Sequence, residues 1–251
     1  MYQKNKKYGS ITAKGNNPIG DSKGEGMILN NLGITAQAKG DYDTALQYFE
    51  QAYEIAKEIG DKKQEGCFLN NISQIYYARR DYDTALRYLE QSLAIQQQIG
   101  DHKGEGRSLN NISQIHAAKG DYDTALRYLE QSLAIQQQIG DREGEGATLN
   151  NISQIHDDKG DYDTALRYLE QSLAIMQQFG DMAGVATTSN NMGAMLCKQN
   201  RYAEAIPLFI HAYQTFQETG SPNFKVPESY LTAIIARIGE AKYQEILSEM
   251  E

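Results

Sequence analysis

Residues 101–140 read DHKGEGRSLNNISQIHAAKGDYDTALRYLEQSLAIQQQIG, and most of this stretch occurs again before and after it. The segment Leu-Asn-Asn at Leu109 and the segment Asp-Tyr-Asp-Thr-Ala-Leu at Asp121 both recur at intervals of 40 residues. An internal repeat of this length is typical of proteins built from stacked units. The repeats predict five units, at residues 21–60, 61–100, 101–140, 141–180 and 181–220.

Each unit carries the pattern of two helices joined by a tight turn. In the third unit, Asp101 is the expected N-cap of the first helix, and Gly120 offers the left-handed conformation that ends it. Asp121 is the expected N-cap of the second helix, and Gly140 closes that helix. Apolar residues recur at helical spacing in both helices, namely Leu109, Ile112, Ala125, Leu126, Leu129, Leu133 and Ile135. Each unit is therefore predicted to be a helical hairpin.

A single hairpin is too thin to bury its own apolar stripe, whereas stacked hairpins share a continuous core. Small residues recur at one position of every first helix and at one position of every second helix. They are Gly33, Ser73, Ser113, Ser153 and Gly193 in the first helices, and Ala45, Ala85, Ala125, Ala165 and Ala205 in the second helices. Because small side chains let helices approach closely, the sequence predicts an elongated solenoid.

The composition argues against several functional classes. The 251 residues carry a net charge of −9, so no basic surface for nucleic acid is expected. No apolar run is long enough to cross a bilayer, and the basic N-terminus lacks the apolar core of a secretory signal. Cys67 and Cys197 are too few for a disulfide framework and fit a reducing compartment. We therefore expect a soluble, cytoplasmic protein that binds neither nucleic acid nor membrane.

The repeated unit resembles the tetratricopeptide repeat. Unit one supplies Leu32-Gly33, Gly40-Asp41-Tyr42, Ala45, Phe49 and Ala52, and unit five supplies Met192-Gly193, Tyr202, Ala205, Phe209 and Ala212. The usual closing proline is absent, and the period is 40 residues rather than about 34. In this the chain is similar to the long-helix subfamily found in Leu-Gly-Asn repeat proteins, kinesin light chains and many bacterial regulators. The resemblance implies an all-α, right-handed superhelical solenoid of helix-turn-helix hairpins.

Some positions depart from that motif. Arg80 and Asn200 stand where the turn usually has glycine, and Arg80 is expected to loosen its turn. His116 and His156 stand where the motif places a packed aromatic residue, so we expect them in the core.

The two ends of the chain differ from the middle, as terminal repeats do. Residues 1–20 carry no repeat pattern, and we interpret them as a weakly ordered segment or the remnant of a lost repeat. Residues 221–251 predict a final pair of capping helices. If no unit precedes the first, its first helix has an exposed apolar flank, which is a candidate surface for a homo-oligomer.

Some segments suggest catalysis or metal binding, but they lack the residues or the spacing that the known motifs require. Gly100, Gly104 and Gly106 are similar to a phosphate-binding loop, but the Lys-Ser/Thr pair is absent and no strand precedes them. The Asp-Tyr-Asp segments lack the further ligands of a calcium loop, so helix capping is the better interpretation. The histidines and cysteines lack zinc-site spacing. We expect no enzymatic activity, no metal and no cofactor.

Neutral amides repeat on the side of each first helix that faces away from the apolar stripe. The candidate binding residues are Asn30, Asn70, Asn110, Asn150 and Asn190 (the first amide row), Asn31, Asn71, Asn111, Asn151 and Asn191 (the second amide row), and Gln74, Gln114 and Gln154 (the glutamine row). A carboxamide can pair with both groups of a peptide bond, so these rows predict a groove that grips the main chain of an extended peptide. By resemblance, the first helices line a concave groove, and kinesin light chains carry asparagines in the same context to hold cargo peptides.

The same amides allow a second interpretation, in which they hydrogen-bond neighbouring helices and satisfy the stack itself; both roles can hold together. Positions that vary between units are expected to tune specificity, and they include Arg107, Tyr77, Asp157, Asp158 and Lys198. Asp157 and Asp158 would favour a basic segment of the ligand, and Lys198 an acidic group.

The sequence therefore predicts a non-enzymatic scaffold that binds an extended peptide or a helix of another protein in its groove. One alternative is a structural repeat protein that self-associates. Another is a regulatory or sensor arm whose effector acts in trans.

Overall fold

A computed structural model describes residues 18–249, so residues 1–17, 250 and 251 lie outside the described part. The described residues form twelve α-helices, one short 3-10 helix and no strand. The helices of the five units are α1 (Pro18–Ala38), α2 (Tyr42–Glu58), α3 (Lys62–Ala78), α4 (Tyr82–Ile99), α5 (His102–Ala118), α6 (Tyr122–Ile139), α7 (Arg142–Asp158), α8 (Tyr162–Phe179), α9 (Met182–Lys198) and α10 (Tyr202–Glu218). The 3-10 helix Pro222–Phe224, α11 (Lys225–Ile238) and α12 (Glu240–Ser248) follow.

Consecutive helices pair as hairpins, α1 with α2 through α9 with α10, and each hairpin packs against the next one along the chain. The prediction of an all-α solenoid of helix-turn-helix hairpins is confirmed. Most of the predicted N-terminal segment, residues 1–20, lies outside the described residues. The part that is described belongs to α1, which begins at Pro18.

Local signals place the helix ends of the third unit as the sequence predicts. The Asp101 Oδ1 atom accepts a hydrogen bond from the Gly104 amide at 3.1 Å, and Asp121 Oδ1 accepts one from the Thr124 amide at 3.2 Å. Hydrogen bonds from Thr124 lower the pKa of Asp121, because they favour its charged form. Gly120 then ends α5 in the left-handed region, with a φ of 80°.

Arg80 occupies the same left-handed region without being glycine, with a φ of 61°. A left-handed residue with a Cβ atom costs roughly 1–2 kcal/mol. We therefore expect Arg80→Gly to raise the free energy of unfolding by about 1 kcal/mol in urea denaturation. The matched control, Arg87→Gly inside α4, is expected to lower it by about 1 kcal/mol. A neutral or destabilising Arg80→Gly would show that this turn carries no strain.

The core lies between the two helices of each hairpin and between neighbouring hairpins. Ala125 and Leu129 of α6 are fully buried, and so is Phe49 of α2. The small residues predicted for close approach have that role, since a Cβ atom built on Gly33 would lie 2.5 Å from the Phe49 ring.

His116 and His156 are not core residues, contrary to the expectation from the sequence. The His116 ring stacks on Tyr128 with centroids 5.5 Å apart, and 21% of its side chain remains exposed. Its Nδ1 atom lies 3.2 Å from Asp121 Oδ2. His156 stacks on Tyr168 in the same way. These rings therefore line the edge of the core, where a polar atom can reach a carboxylate.

Polar side chains run through the stack at positions that the sequence analysis did not single out. They form a buried polar seam of Ser92, Gln96, Ser108, Ser132, Gln136, Thr148, Ser172 and Thr188. Ser132 Oγ donates a hydrogen bond to the Gly106 carbonyl at 2.8 Å, and Thr148 Oγ1 donates one to Gln136 Oε1 at 2.7 Å. These bonds satisfy polar groups that burial would otherwise make costly.

The C-terminal helices cover one side of unit five. Ile234 of α11 and Ile246 of α12 are buried in the same cluster as Phe209 of α10. Tyr230 stacks on the Phe209 ring at a centroid distance of 4.7 Å. Among the described helices, none has the length and apolar character that crossing a membrane requires.

Candidate functional site

Three adjoining depressions lie along the first helices of units one to four, and together we call them the groove. The largest has a volume of about 500 Å³ and contains residues of both amide rows. The other two, of about 360 Å³ and about 260 Å³, lie on either side of Tyr77. Gln114 contributes to all three depressions. The polar sides of α1, α3, α5 and α7 therefore meet in one continuous surface.

Residues of the first amide row form hydrogen bonds with neighbouring helices of the stack. The Asn110 Nδ2 atom lies within hydrogen-bonding distance of the Gly106 carbonyl (3.3 Å), Ser132 Oγ (2.9 Å) and Thr148 Oγ1 (2.8 Å). Asn150 repeats this arrangement one unit later, and Asn70 Nδ2 donates to Ser108 Oγ at 2.9 Å. The amide donors of these residues are therefore engaged by the polar seam rather than presented to a ligand.

The second amide row bonds to the first row of the preceding unit. Asn71 Nδ2 donates to Asn30 Oδ1 at 2.7 Å, Asn111 to Asn70 at 2.5 Å, Asn151 to Asn110 at 3.1 Å and Asn191 to Asn150 at 3.3 Å. Each bond uses one donor of the second row and the acceptor of the first row. The side-chain oxygens (Oδ1) of the second row accept no hydrogen bond within the described residues, so each can accept one from a ligand.

The two ends of the ladder differ from its middle. No unit precedes Asn31 within the described part of the chain, and Asn31 is exposed. At the other end, the Asn190 Oδ1 atom is buried and has no hydrogen-bond partner among the described residues. The equivalent of Asn191 one period later is Leu231, which has no donor to offer.

The glutamine row has one member that no other side chain engages. Gln37 Nε2 donates weakly to Gln74 Oε1 at 3.4 Å, and Gln154 Nε2 donates to both Asp157 and Asp158. Gln114, at the centre of the groove, makes no side-chain hydrogen bond within the described residues. Its carboxamide can therefore donate and accept at once.

Two of the predicted specificity residues neutralise each other. Lys198 Nζ lies 2.5 and 2.6 Å from the two carboxylate oxygens of Asp157, whose side chain is only 5% exposed. The expectation that Asp157 attracts a basic segment and Lys198 an acidic one is wrong, because the two charges form an ion pair between units four and five. Arg107, Tyr77 and Asp158 are exposed and contribute to the groove.

Cys67 also contributes to the groove, beside Arg107. Burial raises the pKa of its thiol, so the thiol stays protonated at neutral pH. No group of three or more His, Cys, Asp or Glu side chains in the described residues could hold a metal ion. The groove thus offers hydrogen bonds, one exposed carboxylate and one guanidinium group.

Two family models with the description tetratricopeptide repeat match this chain. The first matches residues 24–98, 64–138 and 104–178, and the second matches residues 185–219. No curated protein sequence matches the chain significantly.

Several solved structures are similar to the whole fold. A Rap protein complexed with competence and sporulation factor has a TM-score of 0.70 at 16% identity, over 89% of this chain and 72% of that one. The Rap conjugation regulator of plasmid pLS20, in complex with the Phr* peptide, has a TM-score of 0.75 at 14% identity, over 100% and 69%. Kinesin light chain TPR-like repeats of Podosopora anserina have a TM-score of 0.59 at 20% identity, over 77% and 95%. Identities this low establish a shared fold and no more.

Proposed function

Since the chain belongs to the tetratricopeptide repeat family, we propose that it is a non-enzymatic scaffold whose groove binds an extended peptide segment of a partner protein. The observation that carries this proposal is the row of unused carbonyl oxygens on Asn71, Asn111 and Asn151 beside the free carboxamide of Gln114. An extended main chain presents amide and carbonyl groups at regular intervals, and these side chains can pair with both.

In this proposal the two amide rows have different roles: one stabilises the stack and the other binds the peptide. Asn70, Asn110 and Asn150 of the first row serve the stack, because their amide groups donate to the polar seam. In the second row, Asn71, Asn111, Asn151 and Asn191 each donate one amide hydrogen to the stack, and their side-chain oxygens accept no hydrogen bond within the described residues. A ligand held through main-chain groups is recognised largely without regard to its sequence, and Tyr77, Arg107 and Asp158 would add selectivity.

Structures with the same fold support a peptide as the ligand. The Rap protein is complexed with competence and sporulation factor, and the pLS20 regulator with the Phr* peptide. Kinesin light chain repeats share the fold as well.

The proposal is tested with a peptide selected on the wild-type protein from a random-sequence display library. Isothermal titration then compares the wild type with the triple variant Asn71→Ala, Asn111→Ala and Asn151→Ala. We expect the affinity to fall at least about tenfold, because several hydrogen bonds to the main chain are lost. Gln114→Ala, which removes no bond of the stack, is expected to weaken binding in the same direction.

The matched control replaces exposed amides on the second helices, Gln91, Gln131 and Gln171, by Ala. This control is expected to bind like the wild type. Circular dichroism establishes that every variant is folded. Unchanged affinity in folded groove variants would refute the assignment of the groove.

Self-association stays an alternative prediction. Ile28 and Leu32 of α1 are 63% and 43% exposed, whereas their counterparts Phe68 and Ile72 are buried against the preceding hairpin. A regulatory arm with an effector in trans is compatible with the same groove. A cytoplasmic location is part of the proposal.

A further inference from the structure

The depression of about 260 Å³ beside Tyr77 contains a carboxylate that the fold does not use. Asp158 is the last residue of α7 and is exposed. Its only side-chain partner among the described residues is Gln154, whose Nε2 atom lies 3.2 Å from Asp158 Oδ1. That partner is neutral, so the charge of Asp158 is not compensated.

The position of Asp158 is unfavourable for the helix itself. The C-terminal end of a helix carries partial negative charge, so a carboxylate there destabilises the helix and a cation stabilises it. The equivalent residues of the other units are Ala38, Ala78, Ala118 and Lys198, none of which is acidic. An acidic residue at a helix C-terminus that no cation compensates therefore indicates a functional site.

The cations near this end of the stack are already engaged. Lys198 binds Asp157. Lys159 binds Asp123 at 3.1 Å, and Lys119 binds Asp83 at 3.0 Å. No Lys or Arg lines the depression that contains Asp158.

The walls of the depression suit a long cationic side chain. Tyr77 lines it, and an aromatic face attracts a cation that lies over it. Ala117 and Ala118 line the depression with small side chains, and Gln114 and Asn151 line it with carboxamide groups. The net charge of −9 adds a long-range attraction for a basic ligand.

We propose that this depression, between Tyr77 and Asp158, is the specificity pocket for an Arg or Lys side chain of the bound peptide. The inference rests on the proposed peptide-binding function and names the chemistry of the ligand at one position. The cationic head pairs with the Asp158 carboxylate, which Gln154 holds in place, while the aliphatic stem lies against the Tyr77 ring.

The experiment uses fluorescent peptide mixtures of random sequence, each with one fixed central residue: arginine, citrulline or glutamate. Citrulline has the shape of arginine without its charge. Anisotropy titrations with the wild-type protein are expected to show about tenfold tighter binding of the arginine mixture than of the citrulline mixture, as for a charged hydrogen bond. Asp158→Asn is expected to remove this preference, so that the arginine and citrulline mixtures bind with similar affinity.

Glu130→Gln is the matched control, since it removes one negative charge from an exposed position of α6 outside the groove and leaves the Lys159–Asp123 pair intact. It is expected to keep the preference for arginine. Equal binding of the arginine and citrulline mixtures by the wild type, or a preference that survives Asp158→Asn, would overturn the pocket and leave the peptide groove standing. A preference that Glu130→Gln also removes would assign it to net charge and overturn the pocket too. Absence of binding by all three mixtures would overturn the pocket and the proposed function together.

Discussion

Replacing Phe209 by Ala is expected to lower the free energy of unfolding by about 3–5 kcal/mol. The Phe209 side chain is fully buried and stacks on Tyr230 at 4.7 Å. It also fills the space beside Gly193, where an added Cβ atom would lie 2.8 Å from the ring. Since the same cluster contains Ile234 and Ile246, the cavity would open where unit five meets the C-terminal helices.

Urea denaturation followed by circular dichroism measures this loss. Phe179→Ala is the matched control, because the Phe179 side chain is 61% exposed at the end of α8. This control is expected to change the free energy of unfolding by less than about 0.5 kcal/mol. Similar effects of the two substitutions would mean that Phe209 is not packed in the core of unit five as described.

Asn110→Ala is expected to lower the free energy of unfolding by about 2 kcal/mol. Asn110 joins three elements of the stack, because its amide reaches the Gly106 carbonyl, Ser132 Oγ and Thr148 Oγ1. Its Oδ1 atom also accepts the hydrogen bond from Asn151. Truncation removes one hydrogen-bond partner from the buried Ser132 and Thr148 hydroxyls, and leaving buried polar groups short of a partner costs more than the bonds themselves contribute.

Gln114→Ala is the comparison for Asn110→Ala, since Gln114 is exposed and bonds to no side chain in the described part of the chain. Thermal and urea denaturation are expected to give a change below about 0.5 kcal/mol for Gln114→Ala. The two substitutions separate an amide that supports the stack from an amide of the proposed binding groove. A stable Asn110→Ala protein would contradict the structural role of the first amide row.

The helix ends of this protein could be predicted because their signals are local. The bond between Asp101 and the Gly104 amide joins residues three apart, and Gly120 follows directly after the last turn of α5. The hydrophobic spacing that predicts each hairpin is equally local. The period of 40 residues then implies the stack, since one hairpin cannot bury its own apolar side.

The polar seam also has a signal in the sequence, but the apolar periodicity does not carry it. Ser92, Ser132 and Ser172 recur at one position of the second helices, beside the apolar stripe. A recurring serine in that place indicates a buried partner, here the carbonyl of Gly66, Gly106 or Gly146. The apolar periodicity predicts burial only for the neighbouring leucines.

The repeat, the hairpins, their caps and the amide-rich side of the first helices all follow from local patterns in the sequence. Which amide groups hydrogen-bond within the stack, and which charged side chains form ion pairs, depends on the tertiary structure. The Asn111–Asn70 bond and the Lys198–Asp157 pair both join residues 41 positions apart, on first helices of successive units. Local periodicity fixes the face on which each side chain lies, but the rotation and spacing of one hairpin on the next determine which atoms meet. For that reason both rows look alike in the sequence, although the side-chain oxygens of Asn30, Asn70, Asn110 and Asn150 accept hydrogen bonds in the stack and those of the second row accept none within the described residues.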